Sequence, residues 1–289
     1  MQRLRADCLF WKDGKPLLDG VPYSGVAYEI DEEVCRDIRA FEGGEEIPFL
    51  SYDLLGLSEI ASIFEEDALD ELIYPEPVYC MDGKQISGAV LSFDGQYCYR
   101  EARILDGMVY DYVGYFEDGS LERYRFLPST VVSRAQFYQD GFLKTFDLFE
   151  PGTTSLRIRC DSKGKITSLS IDANLHALLL RLPEVFVPNL LRVQVIRSEE
   201  DLFGFEFSSR VRLHGRGIGE RLGVFLDGLV QSEYLEISNC SLSSDTLRTL
   251  ISRFHGQALE ITTDGLSPSE VRGLASCDVA YELTVKAAD

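Results

Sequence analysis

An α+β fold in two repeat parts is predicted for this 289-residue chain, with antiparallel β-hairpins first and alternating strands and helices last. Three observations predict it. Asp-Gly recurs at Asp82-Gly83, Asp94-Gly95, Asp106-Gly107 and Asp118-Gly119, twelve residues apart each time, and Asp140-Gly141 follows after twenty-two. Leu213, Leu235, Leu259 and Leu283 are separated by 22, 24 and 24 residues. Residues 51–77 lose strand alternation and place Leu57, Ile60, Ala61, Phe64, Ala68, Leu69 and Leu72 mostly at steps of three and four.

The Asp-Gly ladder reads as hairpin turns. That dipeptide tolerates the positive φ of tight turns between antiparallel strands, and its flanks alternate apolar with polar residues, as at Val90, Leu91 and Phe93 before Gly95. Weaker copies stand in front at Phe10-Trp11-Lys12-Asp13-Gly14 and Phe41-Glu42-Gly43-Gly44, and Arg159 to Lys165 reads as a closing hairpin. Tyr23-Ser24-Gly25-Val26-Ala27-Tyr28 also echoes Ile86-Ser87-Gly88-Ala89-Val90-Leu91. Hairpins over residues 8–172 follow.

Inside that part, 51–77 is expected to be an acidic amphipathic helix, capped by Ser58 and stopped by Pro75 and Pro77. In the last third, Leu235-Glu236-Ile237, Leu259-Glu260-Ile261 and Leu283-Thr284-Val285 are matching strands with helical stretches between them. Ser243 or Ser244 caps one such helix, and Ser267-Pro268 opens another. Residues 173–210 are apolar enough to be buried as an interface and cap. The predicted domains are 1–172, with its helical insertion, and 173–289.

Composition limits function. Hydrophobic residues make up 45% and charged residues 26%, and no window approaches 18 consecutive apolar residues, so a soluble globular protein is expected, with no membrane association. The first residues, MQRLRADCLFWKDG, have no apolar run of signal-peptide type. Seven widely spaced cysteines without a CxxC pair fit reduced thiols in a cytoplasmic protein, most simply as small buried hydrophobes. The net charge is −20, and sixteen acidic residues against Arg36 and Arg39 place −14 of it between Glu29 and Glu76. With no basic stripe in the sequence, nucleic-acid binding is excluded. The acidic run is either a contact for a basic partner or a solvated face.

No catalytic constellation is present. His176, His214 and His255 lack partners at metal-ligand spacing, so no metal and no cofactor is expected. Gly215-Arg216-Gly217-Ile218-Gly219-Glu220 departs from the dinucleotide fingerprint, because Glu220 stands where the third glycine belongs. GxSxG, Walker-type and HExxH motifs are missing. Tyr97, Tyr99, Tyr110, Tyr112, Tyr115, Phe116 and Tyr124 form an aromatic ladder, either cross-strand packing or a platform for a carbohydrate or a partner.

Residues 79–83, 93–95, 115–119 and 138–141 carry units of an aromatic, a short step and Asp-Gly, and in this the hairpin ladder resembles MORN-repeat-variant antitoxins of the YwqK type. The tail, with Leu-Glu-Ile-Ser-Asn-Cys-Ser-Leu at 235–242, looks like a degenerate leucine-rich repeat. The first resemblance implies a bacterial immunity protein that binds a cognate toxin domain, expected to be basic, and occludes its active or substrate surface. Such a protein would be a monomer when free. The expected contact is the acidic helix at Glu65, Glu66, Asp67, Asp70 and Glu71, with Tyr74 as an aromatic anchor. A protein-binding scaffold or effector docking through the leucine-rich-repeat-like surface is the alternative, and an enzyme with an unrecognised site the third reading.

Overall fold

The computed structural model describes residues 1–49, 52–73, 77–126, 132–150, 156–171, 202, 204–264 and 266–287. Among these residues lie twenty-three strands and only three α-helices, which corrects the expected α+β class: the protein is mainly β. Contacts divide the chain into two compact units. Described residues of the first lie in 1–126 and 136–141, and those of the second in 132–135, 142–150, 156–171, 202, 204–264 and 266–287. The hairpins after residue 142 thus group with the late strands, a division different from the change of repeat period near 172.

The N-terminal unit is a duplication. Its first half runs β1 (Gln2–Arg5), a 3₁₀ turn at Ala6–Cys8, a small sheet of β2 (Phe10–Lys12), β3 (Lys15–Leu18) and β4 (Val21–Pro22), then β5 (Gly25–Asp31), β6 (Val34–Glu42) and β7 (Glu45–Ile47). The second half repeats the plan with β8 (Ile63–Glu65), a 3₁₀ turn at Glu66–Ala68, β9 (Asp70–Ile73), β10 (Pro77–Met81), β11 (Lys84–Gln85), β12 (Gly88–Asp94), β13 (Tyr97–Leu105) and β14 (Met108–Tyr115), extended by β15 (Leu121–Phe126).

Pairing between the halves is reciprocal. β1 lies parallel to β5 of its own half, with Gln2 opposite Gly25, and antiparallel to β13 of the other, with Leu4 opposite Tyr97. β8 lies parallel to β12, with Ile63 opposite Ala89, and antiparallel to β6, with Phe64 opposite Val34. Matching backbone bonds run from Arg5 N to the Gln96 carbonyl at 3.0 Å and from Glu65 N to the Glu33 carbonyl at 2.9 Å. Each first strand is inserted between two longer ones, so both of its edges are hydrogen-bonded. Gly25 and Gly88 occupy the same place in the two halves: a Cβ would stand 2.3 Å from the Gln2 carbonyl oxygen at one and 2.3 Å from that of Ser62 at the other. Only glycine permits so close an approach.

This duplication overturns the helix expected over 51–77. Asp53 caps a single 3₁₀ turn at Leu57–Glu59, accepting from Leu57 N at 2.6 Å and Ser58 N at 2.8 Å. Ile63–Glu65 then becomes strand β8, and Asp70–Ile73 becomes β9. The three- and four-residue steps come from two short turns separated by a strand, and the strand's partners outweigh any local helical preference. Pro75 lies outside the described residues.

The expected turns are present. Gly83, Gly95, Gly107, Gly119 and Gly141 all have positive φ, and Asp82 and Asp106 also have it at 51° and 49°, as two-residue turns of mirror-image type require.

At the heart of this unit a charge is buried among aliphatic and aromatic side chains. Arg3 and Glu101 are 5% and 0% exposed, and they meet at 2.5 Å. Arg3 also donates to Tyr28 Oη at 2.7 Å and to the Tyr52 carbonyl at 2.8 Å, and its guanidinium stacks 4.1 Å from the Tyr115 ring centre. Tyr28 and Tyr115 donate to the two oxygens of Glu101, Tyr115 at 2.8 Å. Burial works against the Arg3 charge, but Glu101 and the tyrosines hold its pKa well above the ordinary value, and burial likewise pushes both tyrosine hydroxyls up.

The C-terminal unit begins with antiparallel strands: residues 132–135 of β16 (Val132–Phe137), then β17 (Leu143–Phe149), β18 (Leu156–Cys160) and β19 (Ile166–Ile171). β20 (Phe207–His214) joins β19 in parallel, followed by β21 (Tyr234–Ser238), β22 (Ala258–Thr263) and β23 (Glu282–Ala287), all parallel. Helices α1 (Gly217–Leu229), α2 (Ser244–Arg253) and α3 (Pro268–Ala275) connect them. Ser243 caps α2, and Ser267 with Glu270 forms a capping box on α3. The register is an even 24 residues: Val211, Leu235, Leu259 and Leu283 face one another. Leu213 therefore belongs to the row of Ile237, Ile261 and Val285, which corrects the 22-residue first step.

Truncating Glu101 to Ala leaves the Arg3 charge buried without its carboxylate and is expected to destabilise the fold by about 3–5 kcal/mol. Chemical denaturation against an exposed control, Glu117→Ala, checks it. A loss below about 1 kcal/mol, the range of an exposed pair, would deny the cluster its structural role.

Candidate functional site

The acidic residues expected to form the contact do not share one exposed helical face. Glu65 is buried in β8 and ion-paired to Arg5 at 2.5 Å. By the duplication Arg5 and Glu65 are equivalent positions, so this pair joins the two halves at their axis. Glu66 is partly buried, accepting from Tyr79 Oη at 2.5 Å and from Arg100 at 2.7 Å. Burial raises its carboxyl, but the hydrogen bonds and Arg100 outweigh that and hold it below the ordinary glutamate value, while burial and the bond to Glu66 push Tyr79 up to about 12. Asp67 and Asp70 are exposed, Glu71 lies in β9, and Tyr74 is outside the described residues. Of the rest of the acidic run, Glu29, Asp31, Glu32, Glu33 and Asp37 are solvent-facing around the β5–β6 turn, while Glu45 and Glu46 pair with Lys15 and Arg39. Within the aromatic ladder, Tyr115 and Tyr124 are buried, and Tyr124 packs on Phe126 and Phe137 at 5.2 and 6.0 Å between ring centres.

A site that sequence reading missed lies in the C-terminal unit. Its strands bury one face: Val211, Leu213, Leu235, Ile237, Leu259 and Ile261 pack towards α1 and α2, whose Leu222, Phe225, Leu247 and Leu250 are buried. Phe207 meets Phe225 edge-on at 5.8 Å. The alternate residues point to the opposite face, where a groove of about 710 Å³ runs across β18 to β22. Arg159, Ser168, Arg210, Arg212, Tyr234 and Glu236 are among its walls. In register, Arg159 is opposite Ser168, Ser168 opposite Arg212, Arg212 opposite Glu236, and Glu236 opposite Glu260.

Beside the groove Asp147, 3% exposed, faces three guanidiniums, those of Arg134 at 3.0 Å, Arg157 at 2.8 Å and Arg159 at 3.8 Å. Arg212 meets Glu236 at 2.8 Å, and Arg210 stacks over the Tyr234 ring at 4.5 Å. Five arginines from three strands thus form a basic strip whose members lie far apart along the sequence. The signal that could have found it is the polar phase of the strands: Arg157 and Arg159, then Arg210 and Arg212, each pair two residues apart and so on one face.

The arrangement suits recognition. It presents fixed donors, an aromatic plate and paired carboxylates, and at the end of the same face His214 Nδ1 lies 3.1 Å from Ser238 Oγ. Among the described residues no group of three or more His, Cys, Asp or Glu could hold a metal ion, and no helix is long and apolar enough to cross a membrane. Burial pushes the thiols of Cys35, Cys160 and Cys240 up to about 12, which keeps them unreactive.

No known family and no curated protein matches this chain. Weak likeness is found to solved structures. The accessory secretory protein 1, 2 and 3 structure from Streptococcus pneumoniae is 14% identical at TM-score 0.18, over 73% of this chain and 39% of that one. The Glycosylation Associate Protein complex from Streptococcus agalactiae is 12% identical at TM-score 0.23, over 82% and 45%. Staphylococcus aureus TarM, in complex with fondaparinux, a GlcNAc-glycerol and UDP, is 9% identical at TM-score 0.17, over 76% and 42%. The chain spans less than half the length of each, and likeness of this degree assigns neither fold nor activity.

The Glu66 geometry fixes a pH dependence. A carboxyl held below its unfolded value, about 4.3, contributes stability that is present above that pH and lost as pH falls through the folded value. Glu66→Gln is therefore expected to melt below the wild type at pH 7, the gap closing as pH falls to about 3. Calorimetry at both pH values checks it, and a constant gap would show that the Glu66 charge contributes nothing.

Proposed function

We propose that this chain is a non-catalytic binding protein that holds another protein against the open face of β18 to β22. The observation that carries the reading is the groove itself. A parallel sheet ordinarily has both faces covered, whereas here helices pack on one face and the other stays exposed, lined by arginine, tyrosine and glutamate. Repeat sheets of this kind use such a face for broad, preformed contacts, with little ordering cost on binding. Arginine and tyrosine are also the residue types that dominate protein interfaces.

Neutralising a toxin is the specific form of this activity that we propose. The likeness of the Asp-Gly hairpin ladder to MORN-repeat-variant immunity proteins supports it, and so does the exposed acidity around β5 and β6, which would steer a basic toxin domain into contact. Glu65 and Glu66 are occupied by Arg5 and Arg100, so the principal contact is assigned to the C-terminal face.

Titration against the product of a neighbouring toxin gene is expected to give a one-to-one complex and loss of toxin activity. Reversing two exposed arginines, Arg210→Glu with Arg212→Glu, should weaken that complex by at least about tenfold, roughly 1.4 kcal/mol, and leave the melting temperature nearly unchanged. An unchanged affinity would remove this face from the interface, and the absence of any complex would remove the immunity reading.

A further inference from the structure

The open face is divided by charge along the strand order. On β16 to β20 it carries Arg134, Arg157, Arg159, Arg210 and Arg212, and on β21 to β23 Glu236, Glu260 and Glu282, with Lys286 bonded to Glu260 at 3.2 Å. Among the described residues, the carboxylates that meet the five guanidiniums are Asp147 and Glu236. Asp147 is shared by three arginines and neutralises one charge. Arg210 stacks on Tyr234 and has no carboxylate partner among the described residues. A local surplus of three positive charges therefore stands on a chain whose net charge is −20.

Such a surplus is costly to leave without an anion. Three of the arginines share a single carboxylate that is itself buried, and Arg210 meets none among the described residues. Arg159 and Arg212 flank Ser168 in one row, so their backbones are two strand spacings apart, about 10 Å. Arg210 and Arg212 stand on one strand, about 7 Å apart. Thr167, Ser168 and Ser208 also line the groove, and the hydroxyls of Thr167 and Ser208 donate to the Arg159 and Arg210 carbonyls at 3.1 and 2.9 Å. A single small anion cannot touch all three guanidiniums, whereas a chain of carboxylates can.

We propose that this arginine half of the groove binds an extended acidic segment of the partner protein, with successive carboxylates taken by Arg159, Arg210 and Arg212. Guanidinium forks fit carboxylates in paired hydrogen bonds, and the Tyr234 ring backs the Arg210 guanidinium at 4.5 Å. The proposal rests on the reading that this face is the docking surface, and it adds the chemistry of what docks. A segment about three residues from one carboxylate to the next in polyproline-II form, about 9 Å, spans the row from Arg159 to Arg212.

The test uses the full chain and a fluorescein-labelled hexaglutamate peptide, followed by anisotropy, with hexaglutamine and hexalysine peptides as controls. The −20 net charge repels hexaglutamate and attracts hexalysine, so net charge and local site predict opposite orders. The expected result is saturable hexaglutamate binding, no hexaglutamine binding, and a loss of at least tenfold in affinity for Arg159→Gln with Arg210→Gln. Arg36→Gln, removing an exposed arginine of the N-terminal unit, should change nothing. Melting curves establish that each variant is folded, and Arg210→Lys, which keeps the charge and loses the fork, should fall between wild type and the double variant. No hexaglutamate binding, or binding that the Arg159 and Arg210 substitutions leave intact, would overturn the proposal. If the toxin complex still weakens on reversing Arg210 and Arg212, the docking reading survives that result; if it does not, both fall.

Discussion

The Arg3–Glu101 ion pair constrains the N-terminal unit more than any other contact. Both groups are enclosed, and an enclosed charge survives only where each donor and lone pair has a partner. Here the partners come from five places: Arg3 from β1, Tyr28 from β5, Glu101 from β13, Tyr115 from β14 and the carbonyl of Tyr52 from the segment before β8. Moving β1 by one residue would turn Arg3 to the opposite face and put a neighbour against Glu101. Apolar packing of Leu4, Ala27 and Phe41 stabilises the same arrangement but tolerates slippage, because one aliphatic contact resembles another. The polar cluster specifies the register, and the apolar residues around it supply the bulk of the burial.

From that register the duplication follows. β1 has β5 on one side and β13 on the other, so the first half cannot close its sheet without the second, and β8 makes the same demand in reverse. Equivalent positions then meet near the internal axis, where two identical residues would repel if charged. Arg5 against Glu65 resolves this: the halves have diverged to opposite charges at the shared position and bond at 2.5 Å. The acidity of the second copy, at Glu65 and Glu66, is thus answered from within by Arg5 and Arg100.

Local signals carried the parts of the fold that depend on local chemistry. Asp-Gly turns, serine caps on α2 and α3, and the strand repeats of the tail are decided by φ preference, hydrogen bonding within four residues and the alternation of buried positions, all visible in sequence. Residues 51–77 were misread because two short turns flanking a strand imitate helical spacing. The correction was available in the echo of residues 23–28 by 86–91: extended backwards across a three-residue gap, it sets Ala6-Asp7-Cys8-Leu9 beside Glu66-Asp67-Ala68-Leu69, a turn and not a helix. The basic strip was illegible for a different reason. Its arginines come from β16, β18 and β20, and what unites them is strand order, which composition and periodicity do not encode.

That strip also limits what net charge says about partners. Screening confines an exposed charge to about 8 Å at physiological salt, less than two strand spacings, so a ligand lying on the sheet senses the residues beside it and little of the rest. The acidic turn between β5 and β6 is thus read by what lies against it, and the arginines of β18 and β20 by what reaches the groove. The partner proposed above would carry a basic surface and an acidic segment. Discrimination would then come as much from repulsion as from attraction, because a lysine-rich segment in place of the acidic one would meet the arginines of β18 and β20 with like charge.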